Sequence, residues 1–468
     1  MRLASSLGAV ALAILAAAQP ALANGRPPGT STINFRRSHD TDIVLGLTFG
    51  LAISHDSGAT WHWMCENAVH YTGTGVYDPI YVYSEPGTIF ATSFDGAVVN
   101  RQGCTFDNST FGANVFVSTV GQGPADGALF AGLNQPADPS HSDPGDAKIY
   151  VSHDDGMTFP ISASPGQLND WWESIKSAPT DASRIYVTGF RLTGSGRTHL
   201  LFRSDNGGMT YTAMGTTGLT LTDDTTVSLV GVSPTSADTL YAKLDNIGAP
   251  NVLDEGIFKS TNGGTSWTKI IEKTTQLAFL ARANGDLVVG TQGMGTSVSH
   301  DGGTVWTDVA GAPHINCLSE NVAHEVWACT QNYGGGSIPS DNAGVMKSTD
   351  LATWTPVLRY QDILGPVECP MGTVQRDTCE DGILAGDLTY WCGVHNQLGV
   401  TANPTCCAPV TDGQAVTPGC EQPNTDGGGS GGGGGCCESS ASAAGGTTAL
   451  LASIVVGGVL LSRRRRRD

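Results

Sequence analysis

Charge is scarce in this chain of 468 residues. Asp, Glu, Lys and Arg make up 14% of it, and only 24 residues are Lys or Arg against 43 Asp or Glu. With so few of the long charged residues that cover exposed helix faces, an extensive helical fold is excluded. The formal net charge is −19, and five of the few cations crowd into positions 463–467. A body this poor in cations is not built for nucleic acid or an anionic lipid surface. Motifs are missing too. No Cys-x-x-Cys or His-Glu-x-x-His occurs, which argues against zinc, and no Gly-x-Ser-x-Gly elbow occurs outside the glycine run at 427–435. The glycine pair in KSTNGGTSWTK (259–269) is no phosphate loop. Gly264 is followed by Thr265, Ser266, Trp267 and Thr268, a β-favouring run without a helix start. Long apolar runs are confined to the two ends.

What is present is glycine and proline, 62 and 23 residues, the composition of a β-rich, turn-rich protein. The N-terminus reads Met1-Arg2, an apolar run over 7–18 and Ala21-Leu22-Ala23, which together predict a secretory signal over 1–23. Export implies an oxidising compartment, so the 12 cysteines are expected mostly as disulfides. At the other end, GGGSGGGGG (427–435) is a flexible tether, followed by Cys436 and Cys437, an apolar stretch over 443–461 and the arginine block. The stretch is just long enough for a membrane span, and the arginines hold its end in the cytoplasm. This order resembles the MYXO-CTERM sorting signal of Gram-negative bacteria. The resemblance implies a processing protease acting near Cys436 or Cys437 and a protein left on the cell surface.

Between the ends, one octad recurs: Ser-x-Asp-x-Gly-x-Thr-Trp. SHDSGATW begins at Ser54 (Asp56, Gly58, Trp61), SHDDGMTF at Ser152 (Asp154, Gly156, Phe159) and SDNGGMTY at Ser204 (Asn206, Gly208, Tyr211). STNGGTSW begins at Ser260 (Asn262, Gly264, Trp267) and SHDGGTVW at Ser299 (Asp301, Gly303, Trp306). A worn copy, VNRQGCTF, starts at Val99, and STDLATW (Ser348, with Asp350 and Trp354) is one residue short. Spacings of 39 to 56 residues signal four-stranded propeller blades. A short apolar strand precedes each copy, at 43–48, 88–93, 128–133, 184–189, 239–244, 286–291 and 325–330. Seven strands and seven octads predict an all-β, seven-bladed propeller, or six blades if the copy at Val99 is coincidence. The octads resemble the Asp-box, or BNR repeat, of sialidases, sortilin-type receptors, photosystem-assembly propellers and some glucanases. That resemblance implies a structural turn between the third and fourth strand of each blade, with no catalytic role for its aspartates.

Function is then expected on the opposite face, where the second-to-third connections lie. Four of them read as long: 134–148, 191–199, 245–256 and 331–344. Sialidases of this kind need three arginines and a Tyr–Glu pair. Phe35-Arg36-Arg37 is faintly similar to their first arginine segment, and Arg359-Tyr360 is the one close Arg–Tyr pairing. A glucanase needs two carboxylates, for which Asp138, Asp143, Asp146, Asp254 and Glu255 are candidates. His141, Asp143 and Asp146, with Asp138, could offer oxygens to Ca²⁺, but the spacing matches no EF-hand. Among the cysteines, Cys65 with Cys104 and Cys317 with Cys329 are the expected neighbours. Cys369, Cys379, Cys392, Cys406, Cys407 and Cys420 suggest a stapled module or stalk. The organisation expected is a signal (1–23), a propeller (24–362), a Cys-rich stalk (363–424), a tether with the cysteine pair (425–438) and a transmembrane sorting tail (439–468). The role expected is a non-catalytic module for an extracellular glycan or protein, with no cofactor. An exo-acting glycoside hydrolase is the alternative.

Overall fold

In the computed structural model the described residues are 27–380, apart from 71–77, 94–95, 113–114, 125–127, 136, 138–143, 195, 247–254, 274–276, 294 and 336, together with 391, 394, 398 and 399. The segment 1–23 expected as a signal, the glycine tether, Cys392, Cys406, Cys407, Cys420, Cys436, Cys437 and the apolar tail lie outside them. No helix among the described residues is long and apolar enough to cross a membrane.

The chain is an all-β propeller of seven four-stranded blades. Blade 1 holds β1 (Thr30–Arg36), β2 (His39–Leu47), β3 (Gly50–Ser54) and β4 (His62–Met64); blade 2 holds β5 (Tyr81–Tyr83), β6 (Ile89–Ser93), β7 (Gly96–Asn100) and β8 (Asp107–Asn108). Blade 3 holds β9 (Val117–Gln122), β10 (Leu129–Leu133), β11 (Ile149–Ser152) and β12 (Ile161–Ala163). Blade 4 holds β13 (Trp171–Ala178), β14 (Asp181–Thr193), β15 (Gly196–Ser204) and β16 (Thr212–Ala213). Blade 5 holds β17 (Thr225–Val232), β18 (Leu240–Asn246), β19 (Glu255–Ser260) and β20 (Thr268–Lys273). Blade 6 holds β21 (Leu277–Ala281), β22 (Leu287–Thr291), β23 (Thr296–Ser299) and β24 (Thr307–Val309). Blade 7 holds β25 (Cys317–Glu320), β26 (Val326–Cys329), β27 (Val345–Ser348) and β28 (Thr355–Leu358). Each blade is a consecutive antiparallel meander, and the first strands contact one another around the ring, so they line the central channel.

The predicted apolar strands are the second strand of every blade. Their register is constant: Ile43, Ile89, Leu129, Ile185, Leu240, Leu287 and Val326 each sit opposite the residue that opens the turn, and all seven are buried. In blade 2 that opening residue is Asn100, not Val99. The worn copy is therefore a seven-residue turn like the one in blade 7. The Asn100 side chain replaces serine, accepting the Gly103 N–H at 2.7 Å. Seven blades, not six, follow.

The segment after blade 7 departs most from expectation. It is no spacer where it is described, because β29 (Gly365–Pro366) pairs in parallel with β4 as a fifth strand on blade 1. Cys379 bonds to Cys65 and Cys369 to Cys104, so the expected Cys65–Cys104 pair is not formed; Cys317–Cys329 is, across β25 and β26. Trp391, Val394 and Leu398 join the core beneath Trp63 and Tyr360. Apolar residues of a segment that reads as unpatterned in sequence gain their burial from a distant blade.

Candidate functional site

The octads lie at the third-to-fourth turns and are spread around one face of the ring. In each full copy the serine Oγ accepts the glycine N–H, as Ser54 does from Gly58 at 2.9 Å and Ser260 from Gly264 at 3.0 Å. The acidic or amide group then closes the turn. Asp56 Oδ1 accepts the Thr60 N–H at 2.8 Å, and Asp154, Asn206, Asn262 and Asp301 do the same in their copies. The glycine runs at positive φ (Gly58 +85°, Gly156 +74°, Gly208 +89°, Gly264 +86°, Gly303 +100°), where a Cβ would be strained. In blade 7 Leu351 holds that place at +64°, while Asp350 accepts the Thr353 N–H.

The octad aromatic packs onto the preceding blade. Phe159 meets Phe90 of blade 2 with centroids 6.1 Å apart, and Trp306 donates to Ile270 O of blade 5 at 2.8 Å. Trp267 joins the blade 4–5 core, its indole donating to Gly215 O at 3.0 Å; Trp61, Tyr211 and Trp354 fill the other gaps. These residues hold turns and blades together, and the fold does not bring them to one place.

The opposite face carries the chemistry. Blade 4 begins with Asp170-Trp171-Trp172-Glu173, and strand alternation sends the two indoles different ways. Trp172 is fully buried, while Trp171 stays partly open. Trp171 stacks on its cross-strand neighbour Phe190 (6.2 Å, 21°) and meets Phe116 of blade 3 at 5.1 Å. The Arg197 guanidinium lies 4.2 Å over the Phe190 ring and donates to Thr225 O at 3.1 Å. Phe116, Trp171 and Phe190 thus form a partly exposed aromatic row, flanked by Leu168 and Leu192, which are 44% and 70% exposed.

The segment 191–199 is not the long loop the sequence suggested. β14 and β15 continue as a two-stranded ribbon, paired as far as Thr193 and Gly196. The ribbon is fixed at its base. Arg191 grips the fully buried Asp170 through Nε (2.5 Å) and a terminal nitrogen (2.8 Å), and the Arg197 N–H donates to Asp223 at 2.9 Å.

Beside this row sit three carboxylates, Glu173 on the first strand of blade 4 and Asp245 and Glu255 on the second and third strands of blade 5. Glu173 occupies a β-bulge in β13, a device that re-aims a side chain. Burial pushes its carboxyl up, Arg197 pulls it down, Asp245 pushes it up again, and the net is upward. Asp245 and Glu255 lie directly opposite each other across β18 and β19. Lys243 bridges them at 3.2 and 3.1 Å, relieving the like-charge contact, and Glu255 also accepts the Leu277 N–H at 2.6 Å. Burial again leaves Glu255 raised despite Lys243. Deeper along the same inner strand, Lys176 has accessible surface but is ringed by protein, and that desolvation lowers its ammonium pKa.

The other candidates fall elsewhere. Tyr360 is fully buried, its hydroxyl bonded to Thr30 Oγ1 at 2.8 Å, so Arg359-Tyr360 offers no exposed phenol. Arg36 is paired with Asp42 at 2.8 Å, and Arg37 donates to Gly123 O at 2.9 Å. Asp146 is bound by the Lys148 N–H (2.8 Å) and the Tyr150 hydroxyl (2.5 Å); Asp138, His141, Asp143 and Asp254 lie outside the described residues. No group of three or more possible metal ligands forms among the described residues.

No protein-family model matches the chain, and no curated protein matches its sequence. Solved propellers do resemble it in fold. An ancestral GH74 enzyme aligns with a TM-score of 0.46 and 12% identity, over 66% of this chain and 44% of that one. BamB from Moraxella catarrhalis aligns at 0.38 and 12%, covering 68% and 82%, and YCF48 from Cyanidioschyzon merolae at 0.36 and 13%, covering 70% and 84%. The chain spans less than half the length of the GH74 enzyme.

Proposed function

We propose that this protein is an exported propeller, held at the cell surface through its C-terminal tail, that binds an extracellular glycan on the face opposite its octad turns. The seven turns are read as Asp boxes and the tail as a MYXO-CTERM-type signal processed at Cys436 or Cys437. The aromatic row Phe116–Trp171–Phe190 is the observation that supports the binding reading. Partly exposed rings at the strand ends of blades 3 and 4 offer flat apolar faces to the C–H face of a sugar ring, and the carboxylates and carbonyls beside them accept hydrogen bonds from its hydroxyls. A protein ligand is the other partner class, and no cofactor is invoked.

A second reading, an exo-acting glycoside hydrolase, draws on the raised carboxyl of Glu173 near Asp245, since a raised acid and a nearby carboxylate are what glycosidic cleavage requires. A glycan array run beside a panel of fluorogenic glycosides separates the two. Binding without release of fluorophore supports a lectin-like module. Turnover that Glu173→Gln abolishes supports the hydrolase, and neither signal contradicts both.

A further inference from the structure

The four-stranded meanders of blades 1 and 7 share no strand: that of blade 1 comes from residues 30–64 and that of blade 7 from 317–358, and what the C-terminal side adds to the blade 1 sheet is the two-residue β29. The direct seam between them is made by side chains and not by strand pairing. It includes Trp61 in one core with Trp327, the Thr30–Tyr360 hydroxyl contact at 2.8 Å, Phe35 against Trp327 at 5.2 Å, Phe49 against Tyr360 at 5.4 Å, and Asp40 accepting the Val322 and Ala323 N–H groups at 2.9 and 3.1 Å.

The segment that follows blade 7 crosses this seam. Leu364 N–H donates to Trp61 O at 3.0 Å, and Val367 N–H to Trp63 O at 2.8 Å. The buried Gln375 amide bridges Trp63 O (3.0 Å) and the Cys65 N–H (3.1 Å). Trp391 lies 5.5 Å from Trp63, and the Tyr333 hydroxyl of blade 7 donates to Leu398 O at 2.6 Å. Two covalent links complete it: Cys379 to Cys65 at the end of blade 1, and Cys369 to Cys104 in the shortened turn of blade 2.

We infer that residues 363–379 are a redox-locked clasp, which closes the propeller ring at the blade 1–blade 7 seam and, when reduced, lets that seam open while the remaining blades stay folded. The Cys65–Cys379 bond encloses 314 residues of separation, so every blade from 2 to 7 lies inside one covalent loop. Opening the ring from its C-terminal side then requires breaking that bond first. Each disulfide becomes two thiols by taking two electrons and two protons from a dithiol such as dithiothreitol, which leaves as its own cyclic disulfide. Without the bonds, the clasp is held by the burial of Ile363 and Gln375 and by a short pairing with an edge strand of three residues, the least protected kind of sheet contact. The inference is independent of whether the opposite face takes a glycan.

Hydrogen-exchange mass spectrometry on the full exported chain tests it, with and without dithiothreitol, and on the Cys65→Ser/Cys379→Ser and Cys104→Ser/Cys369→Ser variants. On reduction, exchange at 61–64, 365–367 and blade 7 is expected to rise about tenfold or more, while blades 3 to 5 keep their protection. The Cys104→Ser/Cys369→Ser variant, which retains the bond to Cys65, is expected to keep 61–64 slow. Unchanged exchange at 61–64 after both bonds are reduced would overturn the clasp. So would simultaneous loss of protection in all seven blades, which would make the disulfides general staples.

Discussion

At the scale of single residues, the recurring turn shows how one short pattern does two jobs. A serine and an Asp or Asn tie the backbone into a left-handed glycine turn, and the aromatic that follows fills the gap to the preceding blade. The second job carries more energy. Trp267 is 4% exposed within the blade 4–5 core, so Trp267→Ala is expected to cost about 3–5 kcal/mol in a urea melt. Asn262→Ala, which removes bonds to the Ser266 N–H and Oγ, is expected to cost about 1 kcal/mol. An unchanged melt for Trp267→Ala would refute the structural role. Two aspartates at the second strands of their blades, Asp42 and Asp286, hold octad histidines and also set a pH dependence. Burial raises Asp42 and Asp286, but bonds from His55 and Arg36 to the first, and from His300 and Asn284 to the second, outweigh it and hold both below the usual value. A carboxyl depressed on folding contributes stability that is present above its unfolded pKa and is lost as pH falls through the folded one. Stability is therefore expected to drop as the solution is acidified below pH of about 4, and Asp42→Asn to flatten that drop. An equally steep acid limb in Asp42→Asn would contradict this assignment.

At the scale of elements, what the sequence made legible follows from periodicity, and what it hid follows from distance. Second strands such as 43–48 and 286–291 were readable because both faces are buried and apolar residues run unbroken. The octads were readable because seven turns solve one geometric problem with the same side chains. The worn copy shows the limit: an asparagine in the serine's place shifted its apparent start by one residue. The ribbon that runs to Thr193 and Gly196 reads as a loop in sequence because glycines mark loops and hairpins alike. The aromatic row left a signal, the Trp171-Trp172 pair at a strand start, but only the fold shows which indole faces out and that Phe116 and Phe190 meet it. The partners of Cys65 and Cys104 left none, because spacing along a chain does not encode which blade a later segment will cover.

The hairpin's anchor gives this scale its test. Asp170 has no exposed surface and Arg191 is its only bidentate partner among the described residues. Arg191→Ala would leave a buried, uncompensated carboxylate, at a cost of about 3 kcal/mol or more. Loss of exchange protection is expected to begin in β14 and β15. Wild-type stability in that variant would show that the Gln167 N–H, which donates to Asp170 Oδ2, is enough to hold the carboxylate.

For the whole molecule, the account joins an acidic, rigid ring to two unlike faces. The octad face is occupied by turn chemistry repeated seven times. The opposite face is irregular, with blades 1 and 7 covered by the closing segment and blades 3 to 5 presenting the aromatic row and the carboxylates beside it. A net charge of −19 makes polyanionic ligands unfavourable and suits neutral or cationic ones. Isothermal titration therefore tests the central claim most directly. A neutral oligosaccharide selected by the array would be titrated against the unmodified protein, Trp171→Ala on the open face and Met209→Ala on the octad face, where Met209 is 61% exposed. The account predicts that Trp171→Ala weakens binding by about thirtyfold or more while Met209→Ala leaves it unchanged. Full affinity in Trp171→Ala, with its fold intact, would place the ligand elsewhere and contradict the claim.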